Sequence, residues 1–164
     1  MKNHAFGVVL RAAILTAAFV TPAVAADSPT IIDANSLDAI LGLAKGFGSA
    51  ELDTDGVGDP MISGRTNGIK YGIYFYGCEE AKDCKDIQFV SGWTGVKLSL
   101  EKINEWNRTQ RFGKAFIDEE GDPGVRFPVN IRYGVTSENM EDTIDWWAVI
   151  VKSFKEFMDE NEGK

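Results

Sequence analysis

The sequence predicts an α+β domain, an antiparallel sheet with helices packed on it, in the order α-β-β-β-β-α-β-β-α. Three observations predict it. Apolar and polar residues alternate with period two in runs bounded by Gly, Asn and Asp, most clearly around Ile69–Tyr76, Ile87–Trp93 and Val125–Tyr133. Apolar residues at helical spacing occupy three other stretches, beginning near Ser36, Ser99 and Ser137. The turn signals between successive strands are short and rich in Gly, Asn and Asp, as hairpins require.

Ahead of these elements, residues 1–25 have the pattern of a cleaved secretion signal. Lys2 and Arg11 precede a short apolar run, Ala12 to Val20, and Ala23-Val24-Ala25 supplies a small-residue cleavage site. The run is too short to span a bilayer, so no membrane insertion is expected after cleavage, and residues 26–164 are expected to form one domain in the periplasm. The leader holds two of the 17 basic residues and none of the 25 acidic ones, leaving 15 against 25, a net charge of −10. It also holds His4, the one histidine. A mature chain without imidazole has no Ser-His or Cys-His chemistry, and little with which to hold zinc or copper. Its negative charge disfavours nucleic acid as a partner.

Residues Asp27 to Asp33 read as a polar leader. A first helix is expected from about Ser36 to Phe47, with Asn35 as its N-cap and Asp38 in the first turn. Ser49–Leu52 and Met61–Arg65 read as short strands. Between them Asp53, Asp55 and Asp59 invite a calcium reading, but an EF-hand would put Val57 and Gly64 at ligand positions, so a hairpin loop is the better account. Asn67-Gly68 signals a two-residue hairpin into the strand with Tyr71, Ile73 and Phe75 inward. The next strand turns Ile87, Phe89, Ser91 and Trp93 to the same side. A helix from Ser99 to about Thr109 leads to a strand near Lys114–Asp118 and a Gly/Pro turn. The following strand has Val125, Phe127, Val129, Ile131 and Tyr133 inward, and Pro128 marks it as an edge or bulged strand. The last helix, about Ser137 to Met158, carries one apolar stripe (Met140, Ile144, Trp147, Ala148, Val151, Phe154, Met158) and beside it a second (Trp146, Ile150, Phe157). So broad an arc either fills a crowded core or leaves a strip for a partner.

Two features carry candidate chemistry. Cys78 and Cys84, with five residues between them at a hairpin tip, are expected to form a structural disulfide in an oxidising compartment, worth about 2 kcal/mol. Glu79, Glu80, Asp83 and Asp86 around them would raise a thiolate's pKa, which disfavours a redox role. On the central helix, 100° steps from Leu100 place Asn107 in the middle of the apolar face, flanked by Asn104 and Arg111, with Arg108 pointing further out. Asn104 and Asn107 then either satisfy backbone groups nearby or, with Arg108 and Arg111, form a site for a carboxylate or peptide.

The run Asp59-Pro60, Gly64, Tyr71-x-Ile73-x-Phe75-Tyr76-Gly77-Cys78, Cys84, Ile87-Gln88-Phe89, Gly92-Trp93, Asn104-x-Trp106-Asn107-Arg108 and Arg111-Phe112-x-Lys114-Ala115 resembles the YbjN domain family. Gly134-Val135-Thr136 and Asp142-x-x-Asp145-Trp146-Trp147 extend the likeness over nearly all of the mature chain. The resemblance implies a bacterial sensory transduction regulator with a fold similar to type III secretion chaperones, which are small acidic dimers that bind unfolded partner segments. It supplies no catalytic residues, cofactor or metal. The secretion signal departs from the behaviour of a cytoplasmic chaperone.

The expected function is a non-catalytic periplasmic binding or regulatory module that recognises a protein or peptide, with a homodimer as one form. Its candidate surface comprises Asn104, Asn107, Arg108, Arg111, Trp146, Ile150 and Phe157. One rival is a small-molecule or ion sensor at Asp53, Asp55 and Asp59 or at the Asn/Arg helix. Another is a carboxylate hydrolase using Asp118, Glu119, Glu120 and Asp122, whose position in a solvated turn is poor for a general acid.

Overall fold

The computed structural model describes residues 28–163, so the expected leader over 1–25 lies outside the described residues. The elements are β1 (Ile31–Ile32), α1 (Leu37–Gly46), β2 (Ser49–Thr54), β3 (Pro60–Thr66), β4 (Ile69–Tyr76), β5 (Asp86–Gly92), α2 (Leu100–Thr109), β6 (Lys114–Ile117), β7 (Pro123–Asn130), β8 (Val135–Thr136) and α3 (Ser137–Asn161). Six strands form one antiparallel sheet in the order β2-β3-β4-β5-β7-β6, and β1 pairs with β8 in a small second sheet. The α+β architecture is the expected one, with two short strands added.

The period-two pattern sets the packing. Ile62, Tyr71, Ile73, Phe75, Ile87, Phe89 and Val125 all face one side of the sheet and are buried. Across that face lies α3, whose first stripe is buried throughout, Met140 to Met158. Trp147 sits at the centre, its ring 5.5 Å from Phe89 and 6.1 Å from Tyr71. On one side α1 lends Ile40 and Ala44. On the other α2 lends Trp106, edge-on to Phe154 at 4.9 Å and 5.4 Å from Phe157. The second stripe of α3 is therefore largely absorbed by the core. Among the described residues no helix covers the opposite sheet face. There Tyr74 lies over Gly72, Phe116 over Gly124, and Arg126 over Phe116. Rings laid on glycines shield the backbone where no helix does.

Several expectations are corrected. The polar leader contains β1, and Ile32 is fully buried against the rest of the core. The N-cap of α1 is Ser36, not Asn35. Asp33 organises that turn instead: its Oδ1 accepts from the Asn35 N–H (2.9 Å) and the Ser36 hydroxyl (3.0 Å). Tyr133 lies beyond the end of β7 and is 90% exposed, because the chain turns at Ile131–Gly134 to enter β8. Leu100 is 70% exposed, since it sits in the first turn of α2, one residue after the cap Ser99. The strand holding Pro128 is neither an edge nor bulged: β7 lies between β5 and β6, and its register with β5 is unbroken. The N–H of Trp93 donates to Pro123, so the bonded pairs between β5 and β7 fall on odd residues of β7, and the nitrogen of Pro128 points away from β5. On that side β6 has already ended at Lys114↔Arg126, and the missing donor leaves no gap in the ladder.

Candidate recognition surface

The cysteines are joined, Cys78 to Cys84, with Cα atoms 3.8 Å apart. They tie the tip of the β4–β5 hairpin, where Glu79 and Lys82 exchange two backbone hydrogen bonds.

Asn107 does not lie on the buried face of α2; that face is Ile103 and Trp106. Its residue is exposed, yet both ends of its amide are engaged. Oδ1 accepts from the Ala115 N–H at 2.8 Å and Nδ2 donates to the Ala115 carbonyl at 3.1 Å. The Asp118 N–H donates to Asp122, which puts the bonded pairs of the β6–β7 ladder on Phe116 and Lys114 and turns the groups of Ala115 outward. Asn107 thus imitates the next strand and closes the edge of β6. Replacing it by alanine is expected to cost about 1–3 kcal/mol, since both partners become unsatisfied together. Urea titration measures this; a loss below about 0.5 kcal/mol would show that the two bonds contribute nothing net.

The other candidate residues separate. Asn104 and Arg108 are exposed on the outer side of α2. Ile150 is buried beneath Gly113, whose backbone (φ +75°) passes so close that a Cβ there would meet Ile150 Cγ2 at 2.6 Å. Phe157 is packed on Trp106. What the structure does bring together is Arg111, Phe112 and Trp146. The Arg111 guanidinium sits 5.1 Å from the Phe112 ring, and that ring meets Trp146 edge-on at 4.5 Å. Trp146 is 42% exposed, and its Nε1 donates to Asp142 Oδ2 at 3.1 Å. Val149, exposed one turn along α3, extends the patch. Phe112 was absent from the candidate set, because it follows the helix and shows no periodicity; its place beside Trp146 follows from the α2–β6 turn.

The acidic loops are both hairpin turns of one design. Asp55-x-x-Gly58-Asp59-Pro60 and Asp118-x-x-Gly121-Asp122-Pro123 repeat the same sequence pattern. In each, the first aspartate's Oδ1 accepts two backbone N–H groups, from Val57 and Asp59 or from Glu120 and Asp122. In each, backbone bonds link the same positions, Asp55 to Asp59 and Asp118 to Asp122. Of the carboxylates that suggested calcium or hydrolysis, Asp55 and Asp118 are thereby committed to turns. Among the described residues no group of three or more acidic, His or Cys side chains is placed to hold a metal ion.

Asp122 has a further partner. Lys97 Nζ donates to its Oδ1 at 2.8 Å, and with the Gly95 N–H this holds the carboxyl below the usual carboxylate range. A general acid requires the opposite shift. Because the folded pKa is depressed, the stabilisation is present above the unfolded pKa and is lost as pH falls through the folded one. Asp122→Asn is therefore expected to lower the melting temperature at pH 7 and to leave it nearly unchanged near pH 2. A deficit that persists undiminished in acid would remove the carboxylate as its source.

These features define a small α+β domain with one helix-covered sheet face, a stapled hairpin and an exposed Arg–Phe–Trp ladder. A family model matches residues 36–160, and the chain belongs to the YbjN family, described as "Putative bacterial sensory transduction regulator". No curated protein and no solved structure matches it.

Proposed function

We propose that the chain is a non-catalytic periplasmic regulatory module that acts by binding a protein or peptide partner. The regulatory description of the family and the expected secretion signal support this reading. The observation that carries it is the Arg111–Phe112–Trp146 ladder. Tryptophan and arginine are the side chains that most often dominate binding energy, and here they stand together, held by a ring between them. Indole and guanidinium fixed in advance lose little conformational freedom when a partner docks.

The test is capture of polypeptide from a periplasmic extract by the immobilised mature chain. Trp146→Ala and Arg111→Ala are expected to reduce capture at least about tenfold, the loss of one hot-spot contact. Circular dichroism must show that both variants remain folded. Capture undiminished by both substitutions, or no polypeptide captured by the wild-type chain, would overturn the reading. Sedimentation of the purified chain separates a foreign partner from a second copy on the same patch.

A further inference from the structure

We propose a second binding site at the far end of the sheet: the free edge of β2 takes an extended segment of another protein as a seventh strand, with basic residues flanking an apolar one. This goes beyond the reading above and does not depend on it, since β2 and β6 are the opposite edges of the sheet.

The two edges are treated differently. The edge of β6 is closed by Asn107. The edge of β2 is not. The Asp55 N–H donates to the Asp59 carbonyl in the β2–β3 register, so the bonded pairs are Asp53↔Met61, Glu51↔Ser63 and Ser49↔Arg65. The backbone groups of Ala50, Leu52 and Thr54 therefore point outward. The Thr54 N–H is turned back onto Asp53 Oδ1 at 2.8 Å. Those of Ala50 and Leu52 meet no partner among the described residues. They offer two donors and two acceptors in strand geometry. No proline or bulge interrupts the strand, and all of it is exposed apart from Ala50, which is half-buried.

The side chains choose the occupant. Glu51 and Asp53 project from the open face of the sheet, next to Ser63 and Met61, and neither is in an ion pair among the described residues. Between them Leu52 projects from the other face, 48% exposed. A second copy pairing antiparallel about Leu52 would set Glu51 opposite Asp53, like charges face to face, which is destabilising. A segment that reads basic, apolar, basic places a cation against each carboxylate and an apolar side chain beside Leu52.

The probe is a capped five-residue peptide with a lysine–valine–lysine centre and threonine at each end, titrated into the mature chain and followed by backbone amide shifts. Shifts centred on Ala50 and Leu52 are expected, weakening as salt rises. The double variant Glu51→Lys/Asp53→Lys is expected to bind at least about tenfold more weakly, and to prefer instead the peptide with glutamates in place of lysines. Leu52→Pro removes an outward donor without breaking a β2–β3 bond, and is expected to abolish binding while the chain stays folded. Trp146→Ala is expected to bind the peptide as the wild type does, which keeps failure here distinct from failure of the Trp146 surface. Equal binding by the charge-reversed variant, shifts centred elsewhere, or a dimer in sedimentation that Leu52→Pro dissolves would each overturn the proposal.

Discussion

Trp147→Ala is expected to cost about 3–5 kcal/mol, the range for removing a buried large aromatic. Its indole is fully buried between Tyr71 and Phe89, so the substitution empties the contact between α3 and the middle of the sheet. Neighbours cannot close the cavity easily. Phe89 is already in contact with Phe127, and Tyr71 stands over Gly64, where its hydroxyl lies 2.8 Å from the place a Cβ would occupy. Trp147 Nε1 has no hydrogen-bond partner among the described residues, so the contribution is packing and not a polar contact. Trp147→Phe is accordingly expected to retain more than half of the lost stability. Denaturant titration of both variants decides it. A loss below about 1.5 kcal/mol for the alanine variant, or equal losses for both, would contradict this account.

Trp147 also shows what was legible in the sequence. The sheet face and the first stripe of α3 obey fixed periods, 2 and 3.6, and most residues assigned to those faces are buried; Trp93, Phe127 and Val129 are partly covered, and Tyr133, beyond the end of β7, is exposed. The second stripe was visible too, but not its fate. Whether Trp146, Ile150 and Phe157 meet solvent depends on where α2 lands, and that is a tertiary fact. Trp106 covers Phe157, Gly113 covers Ile150, and only Trp146 keeps an exposed edge.

Asn107 was misplaced for a related reason. Counting from Leu100 assumed that the first apolar residue of α2 marks the buried face, whereas a residue in the first helical turn can stand clear of the sheet. Its role as a surrogate strand depends on β6, seven to ten residues further on. The repeated Asp-x-x-Gly-Asp-Pro was legible throughout, yet each copy read alone suggests a different chemistry, calcium in one and paired carboxylates in the other. Seen together they mark equivalent turns that start from the two edge strands. β1 and β8 escaped because two-residue strands have no period to detect.

Gly48→Ala is expected to be among the most damaging single substitutions, and Gly42→Ala, six residues earlier, to be stabilising. Gly48 has φ +151°, a conformation closed to side chains, and a Cβ built there would lie 2.0 Å from the Arg65 carbonyl oxygen and 3.1 Å from its carbon. Both atoms are backbone, so neither can swing aside. The substitution adds strain of about 1–3 kcal/mol to an overpacking cost of about 1–3 kcal/mol. It falls immediately before Ser49↔Arg65, the first pair joining β2 to β3. The expected result is a loss of roughly 3 kcal/mol or more, or release of β2 with fast amide exchange from Ser49 to Thr54 while β4 and β5 remain protected. Gly42 lies in α1 with nothing within 4 Å of its Cβ position, and alanine there is expected to add about 0.5–1 kcal/mol. The two variants give the same change in composition with opposite signs. Equal effects would exclude the close approach of Gly48 to Arg65. Release of β2 has a functional counterpart, because the edge formed by Ala50 and Leu52 exists only while β3 holds the strand straight. Gly48→Ala should therefore lose the lysine–valine–lysine peptide even though Glu51 and Asp53 are intact. Retention of the peptide by Gly48→Ala with β2 released would show that charge alone holds it and that the strand edge does not.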